Sequence, residues 1–179
     1  MIRWLIALLL LASSTSVLAL NIQKDNLYPK VELDTSMGKI VVELDRSRAP
    51  ITVDNFLTYV VRGDYDNTIF HRIIKDFVVQ GGGYDPQLKP LPEDKPIFNE
   101  SGNGLSNALG TIGMARETDP YTATRQFYFN VADNTKLDPS LNVGAMPFLV
   151  KSLKGWRCCR RWPKCQPAPM PPCNGKMCH

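Results

Sequence analysis

The chain has 179 residues, 44% of them hydrophobic, with 14 prolines and 12 glycines; this supports one globular domain with a sizeable core and excludes a disordered tail. Its net charge of +4 is unevenly spread, because from Met146 onward there are seven Lys/Arg and no Asp/Glu, leaving residues 1–145 at −3. A nucleic-acid partner read from the basic average would be an artefact of two unlike segments, and none is expected.

Residues 1–19 read as a signal peptide. Arg3 is a short positive region, Trp4 to Ala12 is an unbroken apolar run, and Val17-Leu18-Ala19 puts small residues around a cleavage site near Ala19. The run is too short to cross a bilayer of roughly 30 Å as a helix, so export to the periplasm is expected, with no membrane attachment after cleavage. A buried N-terminal helix is the alternative, but no polar face is visible. Residues 20–141, the body, contain no cysteine that export would oxidise.

Within the body, Val31 to Asp34 and Ile40 to Leu44 flank Ser36-Met37-Gly38-Lys39 and predict a β-hairpin. Pro50 suits a helix start; Val53, Phe56, Leu57, Val60 and Val61 then recur on one helical face until Gly63. Thr68–Ile74 and Phe77–Gln80 read as adjacent strands around a Lys75-Asp76 turn, followed by Gly81-Gly82-Gly83. Residues Tyr84 to Gly104, with four prolines, predict a surface loop. Thr111–Ala115 and Gln126–Val131 predict two more strands. Short strands at close spacing predict a mainly β fold, closed or nearly closed as a barrel with a helix capping one end. Walker and GxGxxG loops, metal-ligand spacing and nucleophile motifs are all missing from the body, so catalysis without metal or cofactor is expected.

The run Phe70-His71-Arg72-Ile73-Ile74-Lys75-Asp76-Phe77-Val78-Val79-Gln80-Gly81-Gly82 resembles the signature of the cyclophilin family of peptidyl-prolyl cis-trans isomerases. Gly104 to Asn107, Gly110 to Arg116 and Gln126 to Asn134 resemble the same family in its exported bacterial branch, so the likeness runs from about Lys30 to Leu137. The resemblance implies an eight-stranded antiparallel barrel capped by two helices, with the active groove on its outer face. It implies Arg72 as the catalytic guanidinium and Gln80 as the residue that positions it. Phe77, Val78 and Phe127 would line the proline pocket, and Leu137 would close its far side. Ala115, Arg116 and Gln126 would touch the peptide backbone. Read without the family, Phe77, Val78 and Phe127 are more simply core residues of alternating strands and Arg72 is a solvated strand arginine; His71 is read as structural. The implied activity is isomerisation of X–Pro bonds in the folding of exported proteins. Proline-containing polypeptides would be the partners of a monomer. Lys136 stands where the family usually has an aromatic residue, which implies weak cyclosporin binding.

Beyond Leu141 the resemblance stops, and neither strand alternation nor helix period is visible. Residues 142–179 read as a basic Cys/Pro-rich tail holding all five cysteines. Their spacing repeats no CxxC pair, which argues against a zinc site, and a frameshift accounts for the tail better. Met146 to Lys151 can be encoded ATG CCG TTT TTG GTA AAG; with a T in front, the same bases read Tyr-Ala-Val-Phe-Gly-Lys, as the family pattern wants. Pro163 to Ala168 and Cys173 to His179 yield family-like sequence in the same shifted frame, placing the shift between about Asn142 and Met146. As written, the domain would then be incomplete, with open sheet edges, poor stability and weak activity. Two rival readings stand beside the isomerase: a chaperone-like module that holds proline peptides without turnover, and an inactive product of the frameshifted gene.

Overall fold

The computed structural model describes residues 22–138 and, for the backbone, residues 150–154 and 174–177. The signal-peptide reading of residues 1–19 and most of the tail, cysteines included, lie outside the described residues. The predicted hairpin is present as β1 (Lys30–Thr35) and β2 (Gly38–Leu44), paired antiparallel from Lys30↔Glu43 to Thr35↔Gly38. Its inner face buries Val31, Leu33, Ile40, Val42 and Leu44. Its outer face carries two cross-strand ion pairs, Lys30–Glu43 at 3.2 Å and Lys39–Glu32 at 2.5 Å. The Thr35 hydroxyl donates to the Gly38 carbonyl at 2.6 Å and closes the turn.

Helix α1 (Pro50–Arg62) begins on the predicted proline. Ala49, at its N-cap, offers no side-chain bond. The exposed helix N–H groups are satisfied from far along the chain instead: the Glu100 carboxylate accepts from the Ile51 and Thr52 amides at 3.2 and 2.8 Å and from the Thr52 hydroxyl at 2.7 Å. Gly63 ends the helix in the left-handed region, φ +73°, where a side chain would be strained. Val53, Phe56, Leu57 and Val60 are buried as the spacing predicts, but Val61 is 45% exposed and Tyr59 is buried in its place. The Tyr84–Gly104 segment covers the Tyr59 side, where the Asp94 amide donates to the Tyr59 hydroxyl at 2.7 Å.

The second sheet holds β3 (Arg72–Ile73), β4 (Val78–Gly81), β5 (Ile112–Met114) and β6 (Phe127–Asn130), antiparallel in the order β3-β4-β6-β5. A 3-10 turn follows at Thr135–Leu137. The tail departs from the sequence expectation, since its backbone forms β7 (Val150–Lys154) beside β2 and β8 (Asn174–Met177) beside β1. Both edges of the hairpin are therefore paired rather than open. One core fills the space between the sheets and α1, drawing on Leu33, Ile40, Phe56, Leu57, Val79, Met114 and Phe129 among others. The fold is mainly β, but the expected closed barrel is not what the pairing shows: among the described residues the strands form two four-stranded sheets with no hydrogen-bonded strand pair between them. One α-helix is present among the described residues; the second helix that the resemblance implies is not among them.

Arg125, which no sequence pattern marks, braces this arrangement. Buried to 2% exposure, its guanidinium donates to the carbonyls of Gly82 and Pro92, each at 2.7 Å, and to that of Asp64. It also lies over the rings of Tyr59 and Tyr65, 5.3 and 5.8 Å from their centroids. The end of α1, the glycine run, the long loop and the start of β6 thus meet at one side chain.

Candidate active site

The site lies on the outer face of the second sheet. Arg72 on β3 stands directly opposite Gln80 on β4 and donates to its Oε1 at 3.1 Å. Gln80 Nε2 in turn donates to Gln126 Oε1 at 2.9 Å, so side chains from β3, β4 and the residue just before β6 form one row. Beside them is a cavity of about 80 Å3 lined by Arg72, Phe77, Val78, Gln80, Ala115, Arg116, Tyr128 and Leu137. A second cavity of about 130 Å3 adjoins it across Gln80, Ala115 and Arg116, and Gln126 borders that one together with Glu93, Glu117, Thr122 and Thr124.

Seven of the nine residues expected from the sequence therefore border one small socket, and Gln126 lies next door. Phe127 does not. Its ring is 2% exposed and packs in the core, with ring centroids 5.5 Å from Phe56, 5.3 Å from Tyr65 and 5.8 Å from Phe129. Successive strand residues face opposite ways, so the next one, Tyr128, is the residue that reaches the socket. The signal was available: Gln126 and Tyr128 are two apart and share a face, so a site that uses the first must meet the second.

The socket walls are held by polar contacts behind them. The Phe77 carbonyl accepts from Asn134 Nδ2 at 2.8 Å and from the Val131 amide at 3.0 Å. Tyr128 donates its hydroxyl to Asn107 Oδ1 at 2.8 Å. Asn107 donates its backbone and side-chain N–H groups to Asp138 Oδ1 at 2.7 and 2.9 Å, while the Ser106 hydroxyl donates to Oδ2. The turn that carries Leu137 is thus pinned at both ends, through Asn134 and Asp138. Burial above all pushes the Tyr128 hydroxyl far above its ordinary pKa, so it stays protonated and a donor. For Asp138, burial raises the pKa, but the bonds from Ser106 and Asn107 outweigh it and hold the carboxyl below its usual range. His71 faces away from the socket, its ring 4.5 Å from that of Tyr84. Burial, and next the neighbouring Arg72 cation, depress its pKa against a bond to the Ile69 backbone.

Chemically, the arrangement is an apolar socket for a small ring with a fixed cationic donor on its rim. Among the described residues, no group of three or more His, Cys, Asp or Glu is placed to hold a metal ion, and no helix is long and apolar enough to cross a membrane.

Residues 30–145 match the family model described as cyclophilin type peptidyl-prolyl cis-trans isomerase/CLD. Among curated proteins, the chain is 54% identical over 108 residues to peptidyl-prolyl cis-trans isomerase cyp18 of Streptomyces antibioticus, a match covering 60% of this chain and 65% of that one. It is 45% identical over 129 residues to peptidyl-prolyl cis-trans isomerase B of Escherichia coli, covering 72% of this chain and 73% of the other. The match thus spans just under two thirds of the Streptomyces relative's length. Among solved structures, a cyclophilin type isomerase of Cryptosporidium parvum, determined in the presence of the dipeptide Ala-Pro, superposes with a TM-score of 0.65. It shares 24% sequence identity over 84% of this chain and 99% of that one.

Proposed function

The chain belongs to the cyclophilin-type peptidyl-prolyl cis-trans isomerase family, and on that footing we propose that it catalyses cis-trans isomerisation of X–Pro bonds, with Arg72 as the catalytic residue. The observation that carries this is the Arg72 guanidinium, fixed by Gln80 at 3.1 Å on the rim of an apolar socket. Uncatalysed rotation is slow because twisting the peptide bond sacrifices its resonance, a barrier of about 18–20 kcal/mol for peptide bonds generally. In the twisted state the prolyl nitrogen becomes pyramidal and gains a lone pair able to accept a hydrogen bond. A donor held where that lone pair develops binds the transition state better than either ground state. Phe77, Val78, Tyr128 and Leu137 hold the ring while the preceding carbonyl swings. No proton changes hands, so no base is needed. The neighbour determined with Ala-Pro supports a proline peptide as the occupant.

Replacing Arg72 is the test. Arg72→Ala is expected to lower kcat/KM for a proline tetrapeptide by about 10²–10³-fold while leaving peptide affinity largely in place. A wild-type chain that binds such peptides without accelerating their isomerisation is the outcome that would leave only the holding module.

The same proposal includes export by residues 1–19 to the periplasm, exported proline-containing proteins as substrates, a monomeric state, and weak cyclosporin binding because Lys136 replaces an aromatic wall. It also includes a reading of the C-terminus: the sequence beyond about Asn142 is out of frame, and the restored residues, taking the place of β7 and β8, close the fold into an eight-stranded barrel. Supporting this, the family match ends at residue 145, inside the interval where the shifted codons begin to read as family sequence. Resequencing the DNA from the Leu137 codon to the Lys151 codon should show one base gained or lost; an unchanged reading there makes the tail genuine.

A further inference from the structure

The mouth of the 80 Å3 socket is positively charged. Arg72 and Arg116 line it, and no carboxylate does among the described residues. Lys136 stands beside Leu137 on the 3-10 turn, exposed, with its ammonium 5.5 Å from the centroid of the Phe77 ring that forms a wall. Arg72 is held by the Gln80 amide, and Arg116 donates to the Glu117 and Thr118 carbonyls. The carboxylates flanking the turn keep their charge but bond to neutral donors outside the socket lining: Asp133 accepts from the Leu109 amide at 2.8 Å, and Asp138 from Ser106 and Asn107. The β3–β4 turn adds one charge of each sign, Lys75 and Asp76. Glu93 and Glu117 line the adjoining 130 Å3 cavity instead.

We infer that this site selects among proline-containing peptides by charge, favouring those with an acidic side chain next to the proline, and that Lys136 sets the preference. The inference rests on the isomerase reading and narrows its substrate class. With the ring in the socket, the residues adjoining proline lie within reach of Lys136, whose flexible four-carbon stem lets the ammonium follow either neighbour. Because that ammonium is exposed, the gain is modest and sensitive to salt.

The test uses matched peptides with Glu, Gln or Lys on either side of one proline, measuring both isomerisation rate and affinity. At low salt the Glu peptides are expected to exceed the Lys peptides by about two- to fivefold in kcat/KM, mostly through KM, with the gap shrinking in high salt. Lys136→Glu is expected to reverse the order, and Lys136→Arg to keep it. Equal rates and affinities for Glu and Lys peptides, a preference that survives Lys136→Glu, or no binding of any peptide overturns the inference. The isomerase reading fails on a different observation, binding of the Gln peptide without turnover, and a charge preference in affinity alone still upholds the inference.

Discussion

Tyr128 occupies its place because Gly113 has no side chain. A Cβ added at Gly113 would lie 2.7 Å from the Tyr128 hydroxyl oxygen and 2.8 and 3.0 Å from Cζ and Cε1 of its ring, closer than carbon atoms pack. Gly113→Ala should therefore push the ring into the socket, costing about 1–3 kcal/mol of stability and lowering kcat/KM several-fold. Adding Tyr128→Phe should restore only part of this, since two ring carbons still clash; full restoration in a double-mutant cycle would refute the packing argument. His71 supplies the pH dependence. Its Nδ1 is buried without a hydrogen-bond partner among the described residues, and its pKa is depressed on folding, first by burial and then by Arg72. The unfolded chain then binds the proton more readily. The stabilisation is complete above the ordinary histidine value of about 6.5 and is lost as pH falls through the lower folded value. Urea denaturation should show stability declining from neutral pH toward pH ~5, with a flatter profile in His71→Gln; parallel profiles would remove His71 as the cause. Asp138 titrates in a separate window, below the usual carboxylate range.

Among the elements, α1 and the hairpin were legible because each buries one face and leaves the other in water, and that contrast is what periodicity records. Strand β6 defeated the same reading. All four of its residues are buried, so no contrast in polarity tells Phe127 from Tyr128, and only the two-residue spacing from Gln126 shows which one faces the socket. The carboxylate that caps α1 was equally hidden, because Glu100 lies 48 residues beyond Thr52 and no local pattern links them. Glu100→Ala should leave two helix amides and the Thr52 hydroxyl without this partner, costing about 1–2 kcal/mol and speeding amide exchange at Ile51 and Thr52. Unchanged stability and exchange would show that solvent serves the helix end as well.

At the scale of the molecule, the sequence made the site more legible than the architecture. A short run fixes the Arg72, Phe77, Val78 and Gln80 surface, because those residues occupy two adjacent strands and the turn between them. The division into two sheets, and the backbone strands contributed by the tail, depend on pairings between distant segments that no local pattern encodes. The long loop is the clearest case: it reads as proline-rich and polar, yet it is bound into the fold by Tyr59, Glu100 and above all Arg125. Every hydrogen bond from the Arg125 guanidinium goes to a main-chain carbonyl. The brace is therefore blind to which side chains stand at Asp64 and Pro92, and those positions are free to drift as far as it is concerned. Arg125 has no such latitude, since a lysine ammonium cannot present the same flat fork of donors to three separated acceptors. The union of helix, loop and site strand is thus written in a single codon.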